Sequence, residues 1–192
     1  RAAVRIAMTR PPIDVVALYP QVSQIKDQAL RDGVVAVFQD LWALSTWQDI
    51  AALPVSWEIP YSNLPHTQCI VTMALAIADA LVAHHGTKID RDLLIAASVL
   101  QDASKLVEYE PGPDGKGRHT DIGRQYPHGF WCAMLAAQRG LPHALSHITM
   151  THSSSAAKFP DSIEGKILYY VDQLDVIAVH KDRFKKHLMI SK

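Results

Sequence analysis

Apolar residues in this chain recur three and four positions apart, while runs alternating with period two are scarce. Ala, Leu, Gln, Asp and Lys fill the long segments, where helix suits them better than strand. The pattern predicts one helix from about Pro20 to Leu44, or two with a break near Gly33. Ser45 and Gln48 have capping-box spacing and predict a short helix ending before Pro54. Residues 54–65 (PVSWEIPYSNLP) hold three prolines and predict an extended linker. A long helix follows from about Pro65 to His85, with His66, Ile70, Met73, Ile77 and Leu81 on one face and Gly86 as its stop. Asp90 is placed to cap the next helix, from about Arg91 to Val107.

Residues 110–127 (EPGPDGKGRHTDIGRQYP) break the pattern with four glycines and three prolines. They predict a long connection, open to reading as a functional lid or as a passive solvent loop. Helices resume over about 127–139, ending at Gly140, then 142–152, then 162–180 with a basic tail. The expected fold class is all-α, an orthogonal helical bundle. Residues 1–60 are expected to form a helical extension packed on a core domain of residues 61–192.

Composition narrows the function. Lys plus Arg (19) equals Asp plus Glu (19), so the basic surplus of a nucleic-acid binder is missing, while a small anionic partner remains compatible. Cys69 and Cys132 sit in apolar runs and are expected as buried free thiols rather than a disulfide framework. No uninterrupted apolar run of about 18 residues is present, and RAAVRIAMTRPP lacks a signal-peptide core, so the expectation is a cytoplasmic protein without a membrane partner. Trp42, Trp47 and Trp57 are expected as core, with a homo-oligomer surface as the alternative.

The candidate chemistry lies where polar residues interrupt apolar helices. His66 opens one helix, and Asp102 lies in the apolar stretch AASVLQDASK. His128 opens a third helix in YPHGF, His152 closes a fourth in TMTHSS, and Asp172 interrupts LYYVDQLD beside Leu168 and Val176. A carboxylate among apolar residues calls for a cation.

The order His66, Gln101-Asp102-Ala103-Ser104-Lys105, His128, His152 and Asp172 resembles the HD-domain superfamily of metal-dependent phosphohydrolases, over roughly residues 60–180. PHTQCIVTMALAIADALVAHHGTKIDRDLLIAASVLQDASK is similar to the segment joining that family's first His to its His-Asp pair. PHGFWCAMLAAQRGLPHALSHITMTHS is similar to the two-histidine stretch of its binuclear members. The sequence departs from the pattern at Gln101, where the family has His. A glutamine offers a carbonyl oxygen in place of an imidazole nitrogen. That is compatible with a substitution that traps a complex, with a weaker oxygen ligand, or with an inactive member.

The resemblance implies one metal held by His66, Gln101, Asp102 and Asp172, and a second by Asp102, His128 and His152, sharing a hydroxide. Mixed ligation of this kind suits Mn, Fe, Co, Ni or Zn, one ion or two. Asp102 and Lys105 are the expected catalytic residues. Lys105 follows by one helical turn and either meets a substrate oxyanion or pairs with a ligand carboxylate. Arg118, His119 and Arg124 in the irregular loop either receive an anionic substrate or stay solvated. Asp175 is placed to support a ligand histidine, and Glu108 and Tyr109 to reach the pocket mouth. His84 and His85 suit a helix C-terminus. His143 and His147, four apart, have ligand spacing, but the resemblance assigns neither, and His180 and His187 are expected in a solvated tail.

The function expected is hydrolysis of a small phosphorylated or otherwise anionic metabolite. Alternatives on the same fold are a di-iron oxygenase, hydrolysis of a non-phosphate bond, or a catalytically impaired ligand-binding module.

Overall fold

A computed structural model describes residues 10–179 apart from 58, 60 and 115. The expected tail with His180 and His187 lies outside the described residues. Helices dominate: α1 (Val15–Leu18), α2 (Gln28–Leu44), α3 (Asn63–His85), α4 (Arg91–Leu100), α5 (Lys105–Glu108), α6 (Asp121–Gln125), α7 (Phe130–Gln138), α8 (His143–Thr151) and α9 (Ile163–Val179). Two 3-10 turns, Pro20–Gln24 and Ile50–Ala52, join the early helices.

The centre of the bundle is α4, in which every residue from Leu93 to Leu100 is buried. A helix apolar on all sides must be wrapped by others. Helices α2, α3, α8 and α9 pack around it. Asp90 caps its start, accepting from Leu93 N at 2.9 Å. The expected helix to Val107 instead tightens after Leu100. Ala103, Lys105, Leu106 and Val107 each donate to the carbonyl three residues back, at 3.0–3.2 Å. In such 3-10 winding, side chains at i and i+3 eclipse, which stacks Lys105 on Asp102.

Several sequence expectations are corrected. Helix α2 runs unbroken through Gly33, where a Cβ would meet Leu141 Cδ2 at 2.3 Å. The glycine makes room for Leu141 and does not end the helix. No capping-box helix forms at Ser45. Asp49 caps the short 3-10 turn instead, accepting from Ala51 N at 2.9 Å, while Ser45 Oγ accepts from Trp47 N at 3.2 Å. The linker is a closed loop, pinned by Val55 N to Tyr61 O at 2.8 Å and Asn63 N to Leu53 O at 2.7 Å. Ser62 ends it by capping α3.

The buried stripe of α3 runs through His66, Thr67, Ile70, Val71, Ala74, Leu75 and Ala78, while Met73, Ile77 and Leu81 are only partly covered. By length and composition α3 could also cross a membrane. Polar residues punctuate it, so it holds no long uninterrupted apolar run. Its buried face lies against α4 and α9, the position of a core helix.

The irregular stretch after Glu108 holds a hairpin. Strands β1 (Tyr109–Pro111) and β2 (Gly117–His119) pair antiparallel, with Glu110 opposite Arg118. Trp42 and Trp47 belong to the core, whereas Trp57 is 54% exposed. Cys69 and Cys132 are free, Cys132 buried and Cys69 half-buried.

Candidate metal centre

Five segments bring polar groups to the C-terminal end of α4. His66 comes from the first turn of α3, Asp102 from the tight turn after α4, His128 from just before α7, His152 from the end of α8 and Asp172 from mid-α9. The negative end of the α4 dipole points here and favours a cation. Asp102 is 1% exposed, His66 0% and His152 1%.

Asp102 is the hub. Its Oδ1 lies 3.1 Å from His128 Nε2 and 3.5 Å from His152 Nε2. Its Oδ2 lies 3.3 Å from His66 Nε2, which also stands 3.3 Å from Asp172 Oδ1. The ligand atoms of Asp102, His128 and His152 lie within 4.8 Å of one another, and so do those of His66, Asp102 and Asp172. The ligand sets that the sequence resemblance implies contain these triads, the His66 set with Gln101 added.

Each histidine is fixed from behind through Nδ1. Asp175 Oδ2 holds His66 at 2.6 Å, Glu108 Oε2 holds His128 at 2.6 Å, and the Thr149 carbonyl accepts from His152 at 2.9 Å. A carbonyl only accepts, so His152 carries its proton on Nδ1, and ionised carboxylates draw the other two rings into the same tautomer. When neutral in this tautomer, the rings aim bare Nε2 lone pairs inward. His128 Nε2 and His152 Nε2 sit 3.3 Å apart with Asp102 Oδ1 beside them. Lone pairs converging in this way fit a divalent cation, and acceptors behind ligand histidines are the usual support of a metal site.

The electrostatics among these side chains agree. Burial alone would push Asp102 up, but the Lys105 charge and the three histidines hold it well below the usual carboxylate range. Burial would lower His128, yet the Glu108 charge and the Asp102 and Glu108 hydrogen bonds push it up to about 10. Burial likewise opposes the charge on His66, and the surrounding carboxylates of Asp102, Asp172 and Asp175 outweigh it, leaving the ring well above its ordinary value. These charges favour positive charge at the centre, as bound protons or as a metal ion.

Gln101 precedes Asp102 in the chain and is 0% exposed, with neither its amide oxygen nor its nitrogen hydrogen-bonded. An unpaired buried amide costs about 1–3 kcal/mol. Its free carbonyl oxygen suits a hard cation. His66 Nε2 is similarly buried without a hydrogen bond.

A cavity of about 270 Å³ opens onto Asp102, Lys105, Glu108, His128, His152 and Asp172. Neither His66 nor Gln101 lines it. Lys105 Nζ is 2.5 Å from Asp102 Oδ2, the carboxylate-paired alternative. Tyr109 and His119 also line the cavity, their rings 4.8 Å apart. Arg118 and Arg124 stand outside its wall. Arg118 pairs with Glu110 at 2.9 Å, and Arg124 with Asp121 and the His119 carbonyl. His143 is exposed and His147 lies 3.7 Å from Asp161, neither in the cavity.

Asn63 was invisible in the sequence, inside what read as a linker. Its Nδ2 donates to Asp102 Oδ2 at 2.8 Å.

Over 162 aligned residues, 79% of this chain, the sequence is 28% identical to the dihydroneopterin 2',3'-cyclic phosphate phosphodiesterase of Methanocaldococcus jannaschii. The chain spans 65% of that relative's length. No protein-family model matches the sequence, and no solved structure matches it significantly.

Proposed function

We propose that this chain is a metal-dependent phosphohydrolase of HD type that cleaves a phosphoester bond in a small phosphorylated metabolite. The observation that carries the reading is the convergence of His66, His128 and His152 Nε2 on the Asp102 carboxylate, each ring fixed at Nδ1 by its own acceptor. The relative's cyclic phosphodiester substrate makes that bond type the first to test.

In this reading residues 61–192 form the HD-type unit and residues 1–60 the helical extension. His66, Asp102 and Asp172, with Gln101, would hold one ion, and Asp102, His128 and His152 the other. Mn, Fe, Co, Ni and Zn all suit the donors. When bound, such ions supply Lewis acidity, acidifying water and offsetting charge that gathers on phosphoryl oxygens. In the reaction a water oxygen bonds to phosphorus, one P–O ester bond breaks, and the freed oxygen takes a proton.

The chain's own groups orient this chemistry. Lys105 Nζ, on the cavity wall beside Asp102, faces the incoming phosphate. Ser153, Ser154 and Ser155 bring hydroxyls to the same cavity, and Trp57 offers it an exposed indole face for the organic part of the substrate. His119 meets the substrate from the hairpin, and Arg118 and Arg124 join it by exchanging Glu110 and Asp121 for its negative charge.

The test is a metal-stripped chain reloaded separately with Mn, Fe, Co, Ni and Zn and assayed on bis(p-nitrophenyl) phosphate and a 2',3'-cyclic nucleotide phosphate. Cleavage that needs metal and disappears in Asp102→Asn supports the reading. Metal retention without cleavage of either ester, in this chain and in Gln101→His, overturns it.

A further inference from the structure

The two triads share Asp102, but not on equal terms. Its Oδ1 faces His128 and His152 at 3.1 and 3.5 Å and takes no other hydrogen bond among the described residues. Its Oδ2 is crowded: Asn63 Nδ2 donates at 2.8 Å, Lys105 Nζ at 2.5 Å, and His66 Nε2 stands at 3.3 Å. An ammonium is therefore already seated on the oxygen that the His66 triad needs. Asp172 keeps Oδ1 turned to His66 while its Oδ2 accepts from Gln173 at 2.7 Å.

We propose that the centre holds two unequal metal sites: a tight one at Asp102 Oδ1, His128 and His152, and a weak one at Asp102 Oδ2, His66 and Asp172 that Lys105 guards. The proposal rests on reading this cluster as a metal centre. A divalent ion and an ammonium competing for one buried carboxylate oxygen repel with little solvent screening. The tight site is nitrogen-rich, suiting Fe, Co, Ni or Zn, while the guarded site is oxygen-rich and suits Mn better.

The guard can move. Lys105 lies on the cavity wall, and its four-carbon stem has room to swing the ammonium outward. An anion entering the cavity would draw it off Oδ2 and open the second site. Filling of the guarded site is thus coupled to occupancy of the cavity, and Lys105 acts there as a positioning residue.

The test is Co2+ binding to the full chain by isothermal titration, with metal counted after desalting and the visible Co2+ absorption recorded as ligands change. The wild type should retain one Co2+ per chain, with the second site weaker by at least about tenfold. Lys105→Met should tighten that second site until two ions are retained. His152→Ala should remove the tight site, and Asp172→Asn the weak one alone. Should Lys105→Met fail to fold by circular dichroism, Lys105→Gln makes the same measurement. Two equal sites in the wild type, or a second site unmoved in the folded Lys105 variant, overturn the proposal. No Co2+ bound by either chain sinks instead the metal-centre reading on which it rests.

Discussion

Glu108 and Asp175 act through the histidines they hold. Each occupies an Nδ1 at 2.6 Å and so decides which nitrogen faces the centre. Replacing such a supporting carboxylate costs about 10–100-fold in metal affinity. Glu108→Gln is therefore expected to weaken binding at the His128 triad by about that factor, and Asp175→Asn at the His66 triad, each leaving the other site's titration nearly unchanged. Direct titration with Co2+ checks both. The same rings set a pH dependence. His128 is held at about 10 against an ordinary 6.5, so the fold favours its protonated form. That contribution to stability is complete below pH 6.5 and is lost as pH rises toward 10. With chelator present, the melting temperature should fall across this window. Metal needs the bare ring, so metal affinity should rise with pH across the same window, with proton release on binding measurable by calorimetry in buffers of different ionisation enthalpy.

At the scale of elements, the centre is built by ordinary helices that end in unusual ways. Gly129 joins His128 to α7 at φ +82°, and a Cβ there would meet the Thr149 carbonyl at 2.3 Å. That carbonyl also orients His152, and Gly129 N donates to Glu108 Oε1 at 3.0 Å. Gly129→Ala should therefore cost about 1–3 kcal/mol in a urea unfolding curve and should loosen the His128–His152 triad more than the His66 triad. The sequence exposed the polar hub because Asp102, His152 and Asp172 interrupt apolar helical spacing, and that spacing also predicted the long helices. It could not show the tightening after Leu100, since a one-residue shift in hydrogen bonding leaves no composition signal. That shift puts Lys105 over Asp102. The hairpin was hidden for a related reason: each strand spans three residues, too short for a period-two pattern, within a run rich in glycine and proline. Asn63 escaped because its neighbours read as linker, although Ser62 carries an ordinary capping signal.

At the scale of the molecule, the centre ties the chain to itself over long distances. His66 and Asp175 are 109 residues apart and meet at 2.6 Å, and Asp102, His128, His152 and Asp172 close further loops around α4. Without a cation these segments must hold converging carboxylates and imidazoles together by packing and bound protons. With one, ligands from separate helices gain a common anchor that exists only in the folded state. Ligand linkage then stabilises the whole bundle, by about 2.7 kcal/mol when free metal stands at a hundred times its dissociation constant. For a domain of this size that corresponds to a rise of about 5–10 °C in melting temperature. Calorimetry of the chain with excess Mn2+ or Co2+, against the same chain in EDTA, measures the shift. It should vanish in Asp102→Asn, which removes the hub charge, and shrink in His152→Ala. An unchanged melting temperature with metal present would mean that the triads do not bridge these helices through an ion. The burial of Asp102 and Asp172 would then rest on Lys105, the neighbouring histidines, and the amides of Asn63 and Gln173.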